Sequence, residues 1–201
     1  MLGLDLDQLI QTIGYLGLFA IIFIETGLLA GFFLPGDTLL LTAGVVASSG
    51  KLELPLVILV CVLGSVGGDQ LGYWIGKTFG GKVFSRPKSK LFDPKNVVKA
   101  SAFFDRYGMI TIIVARFIPV IRAFAPTMAG VSGVPYPKFL GLSLLGGVLW
   151  GSSLTSLGYF LGNLVGAATL EKYLLAIIAV GILAGLIPSL IHIFGSSKSA
   201  K

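Results

Sequence analysis

The chain has 201 residues, of which 55% are hydrophobic and only 12% charged, and its mean hydropathy is +0.93. Fifteen basic and nine acidic side chains cannot cover the surface of a water-soluble globule of this length, which excludes an ordinary soluble domain. The composition is that of an all-α polytopic membrane protein; a transmembrane barrel is excluded because the apolar runs are continuous rather than alternating.

In chain order, Asp5 and Asp7 precede the first apolar run, where a removable signal peptide would carry basic residues, so the N-terminus is expected to persist in the mature protein. The first apolar element is predicted over 15–47 and is interrupted by ETGLLAGFFLPGD, from Glu25 to Asp37. Pro35 removes a backbone donor there and Gly36 adds freedom, so one straight helix is disfavoured. A span is predicted at 54–76. A basic loop follows at 77–106, with an amphipathic approach helix at about 94–105. The second interrupted element occupies 107–135 and carries Pro119, Pro126 and Pro135. Further spans are predicted at 138–166 and 173–194, since 139–170 and 173–197 hold no Asp, Glu, Lys or Arg and about 20 apolar residues cross the hydrocarbon core. Glu171 and Lys172 form the short turn between them, on the external side.

The net charge of +6 lies wholly in 77–106, where eight basic residues face Asp93 and Asp105. A short basic loop between apolar segments is expected on the cytoplasmic side. It either sets topology alone or also touches anionic lipid headgroups; a nucleic-acid surface is excluded by its apolar flanks and few aromatic residues. Cys61 stands alone in an apolar segment, which rules out an intramolecular disulfide and a cysteine metal site.

The loop separates two related halves. LGYWIGKTFG at 71–80 matches LGYFLGNLVG at 157–166, placing Tyr73 over Tyr159, while GLFAIIFIE at 17–25 lies over GMITIIVAR at 108–116 and brings Pro35 over Pro126. The whole chain, 1–201, reads as a single membrane domain: a first repeat at 15–76, the basic loop and approach helix at 77–106, a second repeat at 107–166 and a C-terminal span at 173–194. Irregular backbone at membrane depth must be covered by protein or line a wet cavity. The fold expected is therefore an inverted repeat whose two re-entrant elements face one another. Interrupted segments at matching positions also point to a transport site at the repeat interface.

Glu25, Asp37, Asp69, Arg116 and Arg122 are the conspicuous charges inside apolar segments, where ionisable groups are costly and usually functional. They either form a working polar site or a structural ion-pair network, or snorkel to the interface. Arg116 and Arg122 flank Pro119, and a converging pair of guanidinium forks suits a phosphate. Glu25 and Asp37 are candidates for proton exchange, because a carboxylate in an apolar cavity tends towards its neutral form. Asp69, after Gly67-Gly68, either caps a broken helix or orients the other carboxylates. Tyr73 and Tyr159 either bond across the repeat or anchor at the interface. No Ser-His-acid or Cys-His arrangement, metal-ligand spacing or GxxxxGKS/T loop occurs, so no catalytic residues, metal or cofactor are expected, and an ion gradient is the expected energy source.

These residues resemble the DedA family, which shares a domain with eukaryotic lipid-scrambling proteins. The similarity covers roughly 10–170 and rests on Glu25 followed by FLPGD at 33–37, GGDxxGYxxG at 67–76, and RFxPxxR at 116–122 followed by Gly130 and Gly133. The resemblance implies facing re-entrant elements and lipid transport driven by the proton gradient in a bacterial cytoplasmic membrane. It implies an essential acidic pair at Glu25 and Asp37 and an essential basic pair at Arg116 and Arg122, with Asp37 standing where many members have Glu. The partner lipid it implies is undecaprenyl phosphate; phosphatidylethanolamine transport, general phospholipid flipping or scrambling, and a non-transport scaffold are the alternatives. Gly-rich surfaces and the resemblance are both compatible with a homodimer.

Overall fold

The computed structural model of the protein describes residues 6–28, 36–83, 111–117, 119–165 and the isolated position 176. Six α-helices account for nearly all of these residues, with no strand among them: α1 Leu6–Gly27, α2 Gly36–Ser48, α3 Leu54–Val83, α4 Thr111–Ala115, α5 Pro119–Val131 and α6 Tyr136–Val165. The predicted approach helix, most of the basic loop, Pro35 and the predicted span at 173–194 fall outside the described residues, save position 176 within that span.

Both expected interruptions are present as helix breaks. α1 stops at Gly27 and α2 starts at Gly36, while α4 and α5 are separated by a turn at Arg116 and Phe117. Pro119 is the first residue of α5, where its missing donor costs nothing and its fixed φ suits the helix start. α3 runs on to Val83, past the apolar span that ends near 76, so the first basic residues after the span, Lys77 and Lys82, are still helical. Two helical segments, Leu54–Gly80 and Tyr136–Val165, are long and apolar enough to cross a membrane, at 27 and 30 residues. Leu59, Leu63, Leu145, Leu149 and Phe160 are exposed along them, as suits helices solvated by lipid.

The chain divides into two compact units. The first takes in residues 1–22, 33–64 and 151–201. Within it, Gly44 of α2 lies against the Thr155 carbonyl and the Tyr159 amide of α6, and Gly158 of α6 lies against the Leu41 carbonyl. A methyl group at either glycine would overlap backbone, so both positions require hydrogen for the helices to approach this closely.

The second unit takes in residues 23–32 and 65–150. Its core holds Tyr73, Ile112, Ala129, Val134 and Phe139. Tyr73 stacks on Phe139 with ring centres 4.7 Å apart, and its hydroxyl donates to the Val134 carbonyl at 2.6 Å. α5 ends in a Schellman turn: the Val134 amide donates to the Ala129 carbonyl and the Gly133 amide to that of Gly130, with Gly133 at φ +70°. That turn delivers the chain through Pro135 into α6.

A reciprocal glycine contact recurs here. Gly130 of α5 meets the Tyr73 carbonyl and the Lys77 amide of α3, and Gly76 of α3 meets the Thr127 carbonyl. Each unit thus contains a short helix and half of a long one locked by the same spacing. The long helices use it one turn apart from the sequence match. By contact, Gly76 corresponds to Gly158 and Lys77 to Tyr159, so Tyr73 corresponds to Thr155. Glycines every fourth residue make a one-turn shift invisible in the letters.

Candidate functional site

Five of the candidate residues, Glu25, Asp69, Tyr73, Arg116 and Arg122, belong to the second unit; Asp37 and Tyr159 belong to the first. Glu25 sits in the last turn of α1, Asp69 in the middle of α3, Arg116 in the turn after α4 and Arg122 in the first turn of α5. Glu25, Asp69, Arg116 and Arg122 are all buried, with exposures between 3% and 6%. Four ionisable side chains removed from solvent call for partners, because an isolated buried charge costs several kcal/mol or more.

They form two pairs. Arg116 bonds to Asp69 Oδ2 and to the Ser65 hydroxyl. It also donates to the Ser143 carbonyl at 3.2 Å and the Ser143 hydroxyl at 3.3 Å. The Ser143 hydroxyl in turn donates to Asp69 Oδ2 at 2.6 Å, and Gln70 Nε2 reaches Ser143 Oγ at 3.4 Å. Asp69 therefore caps no helix: it is the counter-charge of Arg116 within an uninterrupted one.

Arg122 makes the second pair. Its Nη2 donates to Glu25 Oε1 at 2.5 Å, and its guanidinium carbon lies over the Trp150 ring, 4.6 Å from the centroid. Trp150 is almost wholly buried. Glu25 is brought in by a close crossing of α1 and α3, in which Gly68 leaves room for the Thr26 side chain and the Phe23 carbonyl. Thr26 Oγ1 donates to the Ser65 carbonyl at 3.2 Å, tying the end of α1 to the helix that bears Asp69.

One face of α6 serves both arginines. Ser143, Gly146, Gly147 and Trp150 follow the i, i+3, i+4, i+7 spacing of a single helix face. A methyl on Gly146 would come within 2.9 Å of Arg116 Cδ and Nε, so this glycine makes room for the arginine stem. Trp150 lies one turn beyond, under Arg122. Ser65, Gln70, Ser143, Gly146, Gly147 and Trp150 are absent from the sequence-derived candidates. The signal that could have found the four on α6 is this small-polar-aromatic stripe in a stretch with no charge of its own, and Ser65 and Gln70 stand one turn before and one residue after Asp69 on α3.

Asp37 is the second residue of α2 and is half-buried. Tyr159, also half-buried, sits edge-on to Phe160 at 6.0 Å. Tyr73 is engaged by Val134 and by its aromatic neighbours, as described above. Among the described residues, no cluster of three or more His, Cys, Asp or Glu side chains could hold a metal ion.

Residues 34–160 match the family model described as the VTT domain. The chain belongs to the DedA family. It is 42% identical to an uncharacterised membrane protein of Mycobacterium leprae over 90% of this chain and 82% of that one. It is 38% identical to Protein DedA of Escherichia coli, over 93% of this chain and 87% of the relative, and 37% identical to the inner membrane protein YghB of E. coli, over 77% and 71%. No solved structure matches it. As a DedA-family chain with exposed leucines along two membrane-length helices, it is a membrane protein, and its charged cluster lies in a membrane protein's interior.

Proposed function

We propose that this DedA-family protein moves a lipid phosphate across the bacterial cytoplasmic membrane at the expense of the proton-motive force, and that the lipid is undecaprenyl phosphate. The observation that carries the reading is the pair Arg122–Glu25, a guanidinium and a carboxylate 2.5 Å apart and nearly excluded from solvent. A carboxylate that gains a proton no longer neutralises its arginine, and the arginine then favours another oxyanion. A phosphate monoester on a membrane-embedded tail supplies one.

In this cycle Glu25, with Asp37 as the second acidic group, exchanges protons; Arg122 takes the headgroup while the tail stays in lipid; and alternation of the two repeats carries the headgroup across. Arg116, the second member of the basic pair, is held by Asp69, Ser65 and Ser143. Pro119 starts the helix that follows the second break, Pro35 precedes α2 in the sequence, and re-entrant placement of both elements with the basic loop in the cytoplasm completes the proposed topology. A homodimer is compatible with this scheme and is not required by it.

Purified protein in liposomes, given a defined pH gradient, is expected to move undecaprenyl phosphate in preference to phosphatidylethanolamine and to neutral lipids. Equal movement of all three would replace translocation with scrambling. A preference for phosphatidylethanolamine would reassign the substrate, and no movement by folded protein would leave a scaffold. The topology is tested by labelling a Lys88→Cys variant from either side, and external labelling alone would overturn it.

A further inference from the structure

We propose that Trp150 is a positioning residue whose indole ring holds the Arg122 guanidinium during the exchange of its oxyanion partner. The inference rests on the reading above, that a lipid phosphate replaces Glu25 at Arg122. It starts from a juxtaposition: one cation, itself 6% exposed, has a carboxylate oxygen at 2.5 Å and the ring of a 1%-exposed tryptophan at 4.6 Å.

The two contacts draw on different properties of the guanidinium. The carboxylate accepts a hydrogen bond and cancels charge. The ring offers no hydrogen-bond acceptor in the ordinary sense; its negative face attracts net positive charge. That attraction is quenched while the arginine is ion-paired and is strongest when the carboxylate has been neutralised and the phosphate has not yet arrived. At that moment a guanidinium that has lost the neutralising charge of Glu25 in a dry interior is the costly species on the path. An indole beside it lowers that cost without competing for the bond that the next oxyanion must make. A leucine would fill part of the space and supply no such attraction.

The placement of the ring fits this use. Trp150 is on the same face of α6 as Ser143, Gly146 and Gly147, which accommodate Arg116 one turn away. Where Arg116 meets hydroxyl and carbonyl oxygens from that face in addition to Asp69, Arg122 meets an aromatic ring. Neutral oxygens would bind the exchanging arginine by hydrogen bonds that have to be broken or shared; a π face need not be displaced at all. Because the pair at either end of the exchange is charge-compensated, the ring acts chiefly on the rate of exchange and only weakly on the equilibrium affinity for the phosphate.

The experiment grades the ring's electron density without changing its shape. The chain has two tryptophans. The other, Trp74, is about half exposed and lies beside Lys77 and Tyr136, so a Trp74→Phe background leaves Trp150 as the one site for fluorinated tryptophans. Protein carrying zero to three ring fluorines is placed in phosphatidylcholine vesicles with a trace of fluorescently tagged phosphatidic acid as the lipid phosphate. The transport rate is expected to fall stepwise with each fluorine, by about tenfold across the series. Affinity for dodecyl phosphate in detergent and the unfolding temperature are expected to stay within about twofold and a few degrees of the unfluorinated protein. Trp150→Leu is expected to be at least as slow as the most fluorinated form.

A flat rate across the series, with wild-type transport intact and an Arg122→Ala variant inactive, overturns the role of Trp150 and leaves the lipid-phosphate reading standing. A parallel fall in stability and affinity also overturns it, in favour of a packing role. If the wild-type protein moves no tagged phosphatidic acid, or Arg122→Ala moves it normally, the underlying reading falls and takes this inference with it.

Discussion

Asp69→Ala isolates what the ion pair beside the proposed exchange site contributes. The substitution removes a carboxylate that is 4% exposed and leaves Arg116, 3% exposed, with the Ser65 hydroxyl and the Ser143 hydroxyl and carbonyl as its remaining acceptors. Those oxygens are dipoles, so they solvate the cation in part but do not cancel its charge. Breaking one side of a buried pair typically costs about 3–5 kcal/mol, and a lone arginine at the centre of a membrane helix costs about 2.5–3.5 kcal/mol on insertion scales. The expected loss is therefore about 3 kcal/mol, or roughly a hundredfold in the folding equilibrium. Asp69→Leu combined with Arg116→Met removes both charges and is expected to regain most of that stability, since replacing a whole buried pair by apolar side chains is often neutral or better. Reversible unfolding in mixed micelles, read by the exposure of Cys61, measures both. A loss under about 1 kcal/mol for Asp69→Ala, or a double variant no more stable than the single one, would refute the claim that the pair is a coupled buried unit.

Three further outcomes are expected. Gly76→Ala and Gly158→Ala each place a methyl group on the backbone of the neighbouring helix, which cannot yield as a side-chain tip can, and each is expected to cost about 1–3 kcal/mol; Gly141→Ala meets nothing within 4 Å and is expected to be neutral or slightly stabilising, all three read by the same unfolding assay. Tyr73→Phe keeps the stack on Phe139 but leaves the Val134 carbonyl without its hydroxyl donor, and about 1–2 kcal/mol of stability is expected to go, with transport retained at temperatures where the variant is folded. Arg122→Ala is expected to abolish lipid-phosphate transport at matched expression, and Arg122→Lys to restore part of it, because a lysine keeps the charge and the ring contact but loses the planar fork; normal transport by folded Arg122→Ala protein would remove Arg122 from the mechanism.

What the letters revealed, and what they concealed, divides along sequence distance. The end of α1 at Gly27, the start of α2 at Gly36 and the turn at Arg116–Phe117 were legible because proline and glycine act on the backbone where they stand. The long helices were legible because a charge-free apolar run of about 20 residues or more matches the thickness of the hydrocarbon core. Which carboxylate meets which arginine was not. Glu25 and Arg122 are 97 positions apart and Asp69 and Arg116 are 47 apart, and nothing local ties them together. The family pattern implied an acidic pair at Glu25 and Asp37 and a basic pair at Arg116 and Arg122 without saying which acid meets which arginine; in the second unit Arg122 meets Glu25 and Arg116 meets Asp69. The sequence match between the two glycine motifs is ambiguous in its register, since Gly72, Gly76 and Gly80 recur at the spacing of one turn and Gly158, Gly162 and Gly166 do the same. Trp150 carried no charge and broke no helix, so only its place beside Gly146 and Gly147 on one helix face could have marked it.

The contrast between the two arginines follows from what surrounds each. Arg116 has a carboxylate, two hydroxyls and a carbonyl arranged about it, and a glycine that makes room for its stem. Exchanging any one partner there means rebuilding several hydrogen bonds at once, and each buried donor left without an acceptor costs about 1–3 kcal/mol. Arg122 has its carboxylate from the end of α1, one residue before Thr26 and two before the helix stops. A side chain in the last turn of a helix can withdraw with less disturbance than one in the middle of α3. The proposed scheme accordingly assigns the exchange to the partner of Arg122 and leaves the partner of Arg116 in place. In that scheme two pairs of identical chemical type have different duties: one fixes α3, α6 and the turn after α4 to each other, and the other supplies the contact that a headgroup takes over.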